Sequence, residues 1–325
     1  MTDAPTASEH TGLGARLGAW LPDRVDRRVV AAAWATLVVQ IGIVGTGGLV
    51  RLTASGLGCP TWPQCTAGSF VPTPELAAHG IIEFANRLLT FVLVAVAIVM
   101  FLFVVRMRHE RRDLFWLALS IGLYVPLQAV IGGITVLTNL NPYVVGLHFF
   151  ASVVLVALST VLVYRVHTGP GPRVLGVPRW YAGVTHLTSA AVLTTVIVGI
   201  LVTGAGPHAG DAGAARNGLP PELMQHFHSW PAYVTLGLTI VLLIGAWRVA
   251  PGLRPWVGLL LGIELVQTAV GLWQARAGLP IVLVNIHMVL AVALVAAMTA
   301  VVLHLKAPVA PVADEPAELH RTAAS

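Results

Sequence analysis

The residues of this chain that can do chemistry are a few polar side chains set inside long apolar runs. His148 and His287 stand 139 residues apart, and Gln128 and Gln267 repeat at the same interval. A repeat that keeps both a glutamine and a histidine in register predicts two copies of one four-helix unit. Each copy then places an imidazole inside a hydrophobic bundle, where a polar group is costly unless it binds something.

A third histidine, His228, lies about as far into its apolar run as His287 does, and this pair predicts a haem site. Two imidazoles on facing helices can each give a neutral ring nitrogen to iron, while the apolar bundle covers the macrocycle. The equivalent positions in the first half are Asn86 and His148. A lone transmembrane histidine is more often a helix–helix hydrogen-bonding group, but two at equal depth favour ligation.

Glu83 is the acidic residue of the first half, one helical turn from Asn86 and at the depth of His148. In such a setting a carboxylate can handle protons at a reacting centre. The alternative is an ion pair with Arg87, four residues further along the same helix face. His79, four residues before Glu83, can supply a missing iron ligand or contact a haem propionate.

The remaining polar residues have simpler interpretations as well. Arg51 and Arg87 can hold haem propionates, or they can anchor their helices at the membrane interface. Gln128 and Gln267 are each followed by glycine. This pattern predicts polar clasps between helices that pack closely.

The elements that position these residues follow from composition. The chain is 56% hydrophobic and 10% charged, which predicts an all-α integral membrane protein of two pseudo-symmetric four-helix bundles. About 20 apolar residues are needed to cross the hydrocarbon core as a helix. We expect eight transmembrane helices, near residues 30–50, 80–105, 114–137, 143–165, 180–203, 223–247, 256–275 and 281–305.

The basic residues indicate the orientation, because positive charge collects on the cytoplasmic side. All but four of the 19 lysines and arginines fall on one face; the four are Arg51, Arg87, Arg216 and Arg276. Both termini are therefore expected to be cytoplasmic, and the net charge of +5 reflects topology and gives no argument for nucleic-acid binding. No cleavable signal peptide is evident, so we expect the first span to act as a signal anchor.

The chain has two cysteines, Cys59 and Cys65, in the first outer loop of this topology. An oxidising compartment favours a disulfide between them. A structural staple, a redox-active pair and a metal site are the three interpretations. Zinc would want four ligands, and the chain offers two thiols.

The sequence divides into five regions. We expect a cytoplasmic N-terminal tail at 1–28, an N-terminal four-helix bundle at 29–166, a cytoplasmic linker at 167–179, a C-terminal four-helix bundle at 180–306 and a disordered cytoplasmic tail at 307–325. The linker carries the Gly169-Pro-Gly-Pro172 segment.

From about residue 30 to residue 305, the sequence resembles the haem A synthase family of eight-helix membrane proteins. The resemblance rests on three histidines, on Ile82-Glu-Phe-Ala-Asn-Arg87, and on the glycine-rich strip from Gly45 that leads into the Cys59–Cys65 loop. It implies that Glu83 is the catalytic glutamate and that His148 is the substrate-site histidine. It further implies that His228 and His287 are the ligands of a haem b cofactor.

By this resemblance, the first bundle binds haem O and oxidises its C8 methyl group. Successive hydroxylations give a gem-diol, which loses water to leave the formyl group of haem A. The implied partners are the haem O synthase, a farnesyltransferase, and the assembly of aa3-type cytochrome c oxidase, in the plasma membrane of a bacterium. The electron donor stays open, and a homo-oligomer is compatible with these expectations.

The sequence departs from the family's pattern at two places. Members usually carry histidine where this chain has Asn86, so five-coordinate iron, Asn86 and His79 are the alternatives there. Many bacterial members have a second cysteine pair in the third outer loop, which this sequence lacks. Paired cysteines in both halves are therefore a weak requirement for the chemistry.

Three other functions compete with this one. A b-type cytochrome that passes electrons, for example to quinone, would need two bis-histidine sites, and the first half has one firm histidine, His148. A haem carrier would not need Glu83 at the depth of the iron. A transporter would be expected to show helices broken by mid-span glycine and proline pairs.

Overall fold

The computed structural model describes residues 20–309, and eight long helices account for most of them. They are α1 (Arg27–Leu52), α2 (Ala77–Val105), α3 (Arg112–Leu137), α4 (Pro142–His167), α5 (Arg179–Ala205), α6 (Pro221–Arg248), α7 (Arg254–Arg276) and α8 (Ile281–His304). Each is long and apolar enough to cross a membrane. The eight predicted spans are confirmed, because each observed boundary lies within about three residues of its prediction.

Helix starts are set by caps and prolines. Asp26 precedes α1, and its carboxylate accepts hydrogen bonds from the backbone amides of Arg28 and Val29. Asn141 caps α4 in the same way, followed by Pro142 at the first helical position. These residues satisfy or remove amides that a helix leaves unpaired at its N-terminus.

The helices pack as two rings of four. Helix α1 contacts α2 and α4, and α3 lies between α2 and α4; α5 to α8 repeat this arrangement. The rings meet where α8 packs on α1 and α4, and where α4 packs on α5. Each ring has its own core of buried aliphatic side chains. The pseudo-symmetric pair of four-helix bundles expected from the sequence is thus what the chain forms.

The glycine strip of α1 allows close contact between the two bundles. A Cβ atom added at Gly45 would lie 3.2 Å from the side chain of Val289 on α8. One added at Gly48 would overlap the amide oxygen of Asn285, also on α8. Small residues let helix backbones approach in this way, so this strip fixes how the two bundles meet.

The ends of the bundles differ. We call the end that carries the Cys59–Cys65 loop the disulfide end. At the opposite end, β1 (Arg173–Leu175) pairs in antiparallel register with β2 (Lys306–Pro308). The sequence predicted a tail from residue 307, but residues 307 and 308 belong to β2, because their backbone pairs with the linker between the bundles. Residues 1–19 and 310–325, where most of the predicted tails fall, lie outside the described residues.

Candidate functional site

The site begins with a disulfide. Cys59 and Cys65 are bonded to each other, and both are completely buried. The predicted pairing is confirmed, and the metal-site interpretation of these cysteines is wrong. In the described part of the chain, no group of three or more His, Cys, Asp or Glu side chains is arranged to hold a metal ion.

Glu83 lies on α2 directly beneath this loop, and only 5% of its surface is exposed. One carboxylate oxygen accepts a 2.7 Å hydrogen bond from the backbone amide of Cys59. The other accepts from the guanidinium of Arg87, with Nε at 3.1 Å. The ion pair offered as an alternative is therefore formed. It balances the buried charge, which would otherwise be expensive in a membrane.

Arg87 also organises the loop. Its terminal nitrogens donate to the backbone carbonyls of Cys59 and Thr61, each at 3.0 Å, and of Gln64 at 3.2 Å. A planar guanidinium can reach several acceptors at once, which a lysine ammonium does less well. Arg87 thus joins the carboxylate of Glu83 to the backbone of the disulfide loop.

Arg51 and His79 lie at the same end but outside this group. The Arg51 guanidinium donates to the carbonyls of His208, at 2.8 Å, and Thr203, at 3.0 Å, so it connects α1 to the second bundle. His79 is exposed, and its Nδ1 is 2.9 Å from the hydroxyl of Ser55. A role for either residue towards a haem propionate stays a prediction.

The four matched positions share one packing arrangement: each side chain lies against a glycine of the preceding helix. The pairs are His148 on Gly132, His287 on Gly271, His228 on Gly199 and Asn86 on Gly47. A Cβ atom at Gly132 or Gly271 would lie 3.0 Å from the imidazole Cε1, and one at Gly199 would lie 2.9 Å from it. At Gly47 it would lie 4.0 Å from the amide nitrogen of Asn86. Asn86 therefore lies on its neighbouring helix in the first bundle much as His228 does in the second.

The predicted glutamine clasps are also present. The Gln128 side chain donates a 2.7 Å hydrogen bond to the backbone carbonyl of His148. The Gln267 side chain donates a 3.1 Å bond to the carbonyl of His287. Each clasp fixes a histidine-bearing turn against the neighbouring helix, so the sequence repeat is a structural repeat.

His228 and His287 face each other in the second bundle with ring centroids 6.2 Å apart. Two metal–nitrogen bonds of about 2 Å, plus the distance from each nitrogen to its ring centre, add up to roughly 6 Å. His228 Nδ1 is 3.0 Å from the carbonyl of Thr195, which leaves Nε2 for a metal. Nδ1 of His287 is buried without a partner among the described residues. The pair fits the two axial ligands of a haem iron.

The first bundle is built differently around the same positions. Nδ1 of His148 and the amide oxygen of Asn86 are both buried without partners in the described part of the chain. The indole of Trp62, from the disulfide loop, lies against Gly133, the residue next to the glycine under His148. This bundle thus combines one imidazole, a buried carboxylate and an aromatic side chain that reaches in from the loop.

Two features of the site were not found from the sequence. Nothing in the sequence distinguishes Trp62 from the rest of its loop. Glu264, on α7, is 5% exposed and accepts a 2.8 Å hydrogen bond from the hydroxyl of Thr239 on α6. The signal was present, since Glu264 is a single acid within an apolar run, and such residues are rare unless they have a function.

Comparison with known proteins gives one family and several relatives. The sequence model of a family described as "Cytochrome oxidase assembly protein" (COX15-CtaA) matches residues 31–299. The chain is similar to proteins named heme A synthase from three bacteria. That of Listeria welshimeri is 32% identical over 130 residues, or 38% of this chain and 42% of the relative. The protein from Lysinibacillus sphaericus is 33% identical over 141 residues, which cover 42% of this chain and 44% of the relative. The protein from Macrococcus caseolyticus is 36% identical over 135 residues, which cover 40% of this chain and 43% of the relative. The matched stretch thus spans less than half the length of each relative.

Proposed function

Because the chain belongs to the COX15-CtaA family of cytochrome oxidase assembly proteins, we propose that it is a haem A synthase. It is then an oxidoreductase that converts the C8 methyl group of haem O into the formyl group of haem A. The observation that carries this proposal is the inequality of the two bundles. The second bundle holds two imidazoles whose ring centroids are 6.2 Å apart. The first bundle holds one imidazole and a buried glutamate.

In this proposal His228 and His287 would hold haem b in the second bundle. When bound, haem b would supply one-electron transfer to the reaction. The protein's part is to hold both rings at a fixed separation, through the glycines beneath them and the clasp from Gln267 to the His287 carbonyl. Thr195 orients the ring of His228. Such outer partners fix the tautomer and orientation of a ligand.

The first bundle would bind haem O as its substrate, and His148 and Asn86 are the residues that would face its iron. The amide of Asn86 would hold iron less tightly than an imidazole. Glu83 is the catalytic residue, and it takes up and returns protons beside the reacting methyl group. Arg87 and the Cys59 amide hold the carboxylate in place for this role, since geometry must be met before proton transfer is efficient.

The carbon chemistry has three stages. We take dioxygen as the oxidant, so that each hydroxylation inserts one oxygen atom into a C–H bond, consumes two electrons from the donor and two protons, and releases the second oxygen atom as water. The first hydroxylation of the C8 methyl group gives a hydroxymethyl group, and the second gives a gem-diol. Loss of one water molecule from the gem-diol leaves the formyl group. Trp62 and the disulfide loop, at the mouth of the bundle, exclude bulk water from this carbon.

The surroundings of the reaction follow from the same proposal. The disulfide end faces the outside of a bacterial plasma membrane, and both termini are cytoplasmic, in line with the distribution of basic residues. Haem O comes from the membrane farnesyltransferase that makes it, and haem A passes to aa3-type cytochrome c oxidase. Arg51, Arg87 and His79 are the candidates for contacts to the haem O propionates, because all three lie at the disulfide end.

The test is to express the protein in a host that makes haem O and to identify the haems extracted from the purified protein. The wild type is expected to yield haem A and haem b. Glu83→Ala should lose haem A and keep haem b, whereas Glu222→Ala, an exposed acid at the start of α6, should keep both. A wild-type protein that yields haem b alone, with haem O plentiful in the host, would sink the proposal and favour an electron-carrying cytochrome.

A further inference from the structure

Glu264 is a second buried carboxylate, and the reaction proposed above does not use it. It lies in the middle of α7, is 5% exposed, and is bonded through one oxygen to the Thr239 hydroxyl at 2.8 Å. Its other oxygen, Oε2, is buried and has no hydrogen-bond partner among the described residues. A buried acid with an unpaired oxygen is costly, so a purely structural role accounts poorly for it.

The repeat shows that the fold does not require an acid here. Glu264 precedes Gln267 by three residues, and Val125 precedes the matching Gln128 by three residues. Val125 is 2% exposed, so the same position in the first bundle is filled by an apolar side chain of ordinary kind. The carboxylate is thus a property of the second bundle alone, the one that carries the histidine pair.

The position of Glu264 relates it to that pair. Gln267, one helical turn away on α7, holds the backbone of His287 through its 3.1 Å hydrogen bond. Glu264 lies on the side of Gln267 that faces away from the disulfide end. Glu264 is thus one helical turn from the residue that holds the His287 backbone, and among the described residues it makes no hydrogen bond to either imidazole.

Few other titratable groups face Glu264. Helix α6 presents Thr239, and its nearest titratable side chain is Tyr233, six residues away or about 9 Å along the helix, which is exposed. The other titratable side chains of α6 lie about 14 Å or more from Thr239 along the helix; they are Glu222, His226, His228 and Arg248. Helix α8 carries His287 and, at its far end, His304. On α5, the hydroxyl of Tyr181 bonds to the carbonyl of Leu242, one turn from Thr239. In the part of the chain that the structure describes, no ion pair involves Glu264.

We propose that Glu264 is a proton-binding site coupled to the redox state of the haem b held by His228 and His287, an inference that rests on the proposed function of this bundle. When a one-electron reductant converts the ferric iron to ferrous iron, the Glu264 carboxylate takes one proton and becomes a carboxylic acid. Reoxidation releases the proton. The added electron and the added proton then cancel in charge, which matters because charges interact strongly in a low-dielectric interior.

The experiment is a redox titration of haem b in the purified full-length protein, followed by its visible absorbance at several pH values. The wild-type midpoint potential is expected to fall as the pH rises. Glu264→Gln keeps the shape of the side chain and cannot release a proton, so its potential should lose this pH dependence. Glu264→Val copies Val125 and should behave in the same way. Glu222→Gln, at an exposed acid, should keep the wild-type dependence.

A second readout assigns the proton to this residue. The reduced-minus-oxidised infrared difference spectrum of the wild type should contain a carboxylic acid C=O band that Glu264→Gln lacks. Glu264→Asp should shift that band and keep the pH dependence of the midpoint potential. This variant replaces Glu264→Gln as the test if the glutamine variant does not fold.

The possible outcomes distinguish a failure of this inference from a failure of the proposed haem b site. A Glu264→Gln variant that retains haem b and the full pH dependence overturns the inference while the haem b site stands. A pH-independent wild-type potential overturns it too. A wild-type protein that binds no haem b overturns both the inference and the proposed function of the bundle.

Discussion

The backbone amide of Cys59 donates a 2.7 Å hydrogen bond to the carboxylate of Glu83, so the disulfide loop and the buried acid form one structural unit. Arg87 completes this unit, because it binds the same carboxylate and three carbonyl groups of the loop. The loop therefore positions the acid through backbone groups.

Removal of the disulfide tests which part of this unit is needed. The contact to Glu83 comes from the amide of Cys59 and not from its sulfur, so the double variant Cys59→Ser, Cys65→Ser should still make haem A. It should lose about 2 kcal/mol of stability, because an open loop has more conformational freedom when unfolded. Thermal melting and haem extraction measure the two effects. Complete loss of haem A in a folded, haem b-containing variant would instead support a redox role for the cysteines.

Arg87 is predicted to matter more than the disulfide. Arg87→Gln leaves the buried Glu83 without its counter-charge, a change that costs about 3–5 kcal/mol in buried pairs. We expect a lower melting temperature and no haem A. Adding Glu83→Gln removes the uncompensated charge, so the double variant should regain stability but not haem A. Arg276→Gln, at an exposed arginine of the same end, is the matched control, and a stability loss as large as that of Arg87→Gln would contradict this account.

The glycines beneath the histidines give a sharper test of the paired sites. Gly271→Ala places a methyl group about 3 Å from the His287 ring, and Gly199→Ala places one about 3 Å from the His228 ring. In each variant the ring must move. Overpacking of this kind costs about 1–3 kcal/mol, and haem b should be lost or spectrally altered. Gly132→Ala should leave haem b intact and lower haem A. Gly262→Ala, on α7 with no neighbour within 4 Å, is the control; a normal haem b spectrum in Gly271→Ala would refute the predicted contact.

Asn86→His completes the repeat. The glycine beneath this position is present, and a Cβ atom at Gly47 would still lie 4.0 Å from the Asn86 amide nitrogen. An imidazole should therefore fit and bind the substrate iron opposite His148. We expect tighter retention of the substrate haem and a six-coordinate, low-spin spectrum in that bundle, measured on protein loaded with haem O. Asn86→Leu, similar in size but without a donor atom, should show neither change; equal spectra for the two variants would rule out ligation from this position.

Trp62 is predicted to hold the loop in the mouth of the first bundle. A methyl group at Gly133 would overlap the indole, so Gly133→Ala should push the loop outward and expose the substrate carbon to water. Haem A should fall while haem b is unchanged, as read from extracted haems. Gly122→Ala lies on the same helix and meets nothing within 4 Å, so it should behave as the wild type. Equal haem A from both variants would show that the indole contact is dispensable.

Much of the architecture could be predicted, because the membrane imposes simple rules on a sequence. A backbone in hydrocarbon must satisfy its own hydrogen bonds as helix, so apolar runs gave eight spans with boundaries close to those observed. The interval shared by Gln128, His148, Gln267 and His287 indicated the repeat, and both glutamine clasps are present. The tail boundary at residue 307 was missed, because a two-stranded pairing between distant segments leaves little local signal.

The sequence by itself therefore determined the helices, the repeat and the identity of the polar residues within it, since hydropathy and spacing are local properties of a chain. Only the tertiary structure decided what each polar group faces. It placed His228 opposite His287, joined Glu83 to the disulfide loop and put Glu264 against Thr239. These contacts join residues on different helices or on a helix and a loop. They depend on how the helices are rotated and packed against one another, which hydropathy and spacing along the chain do not determine.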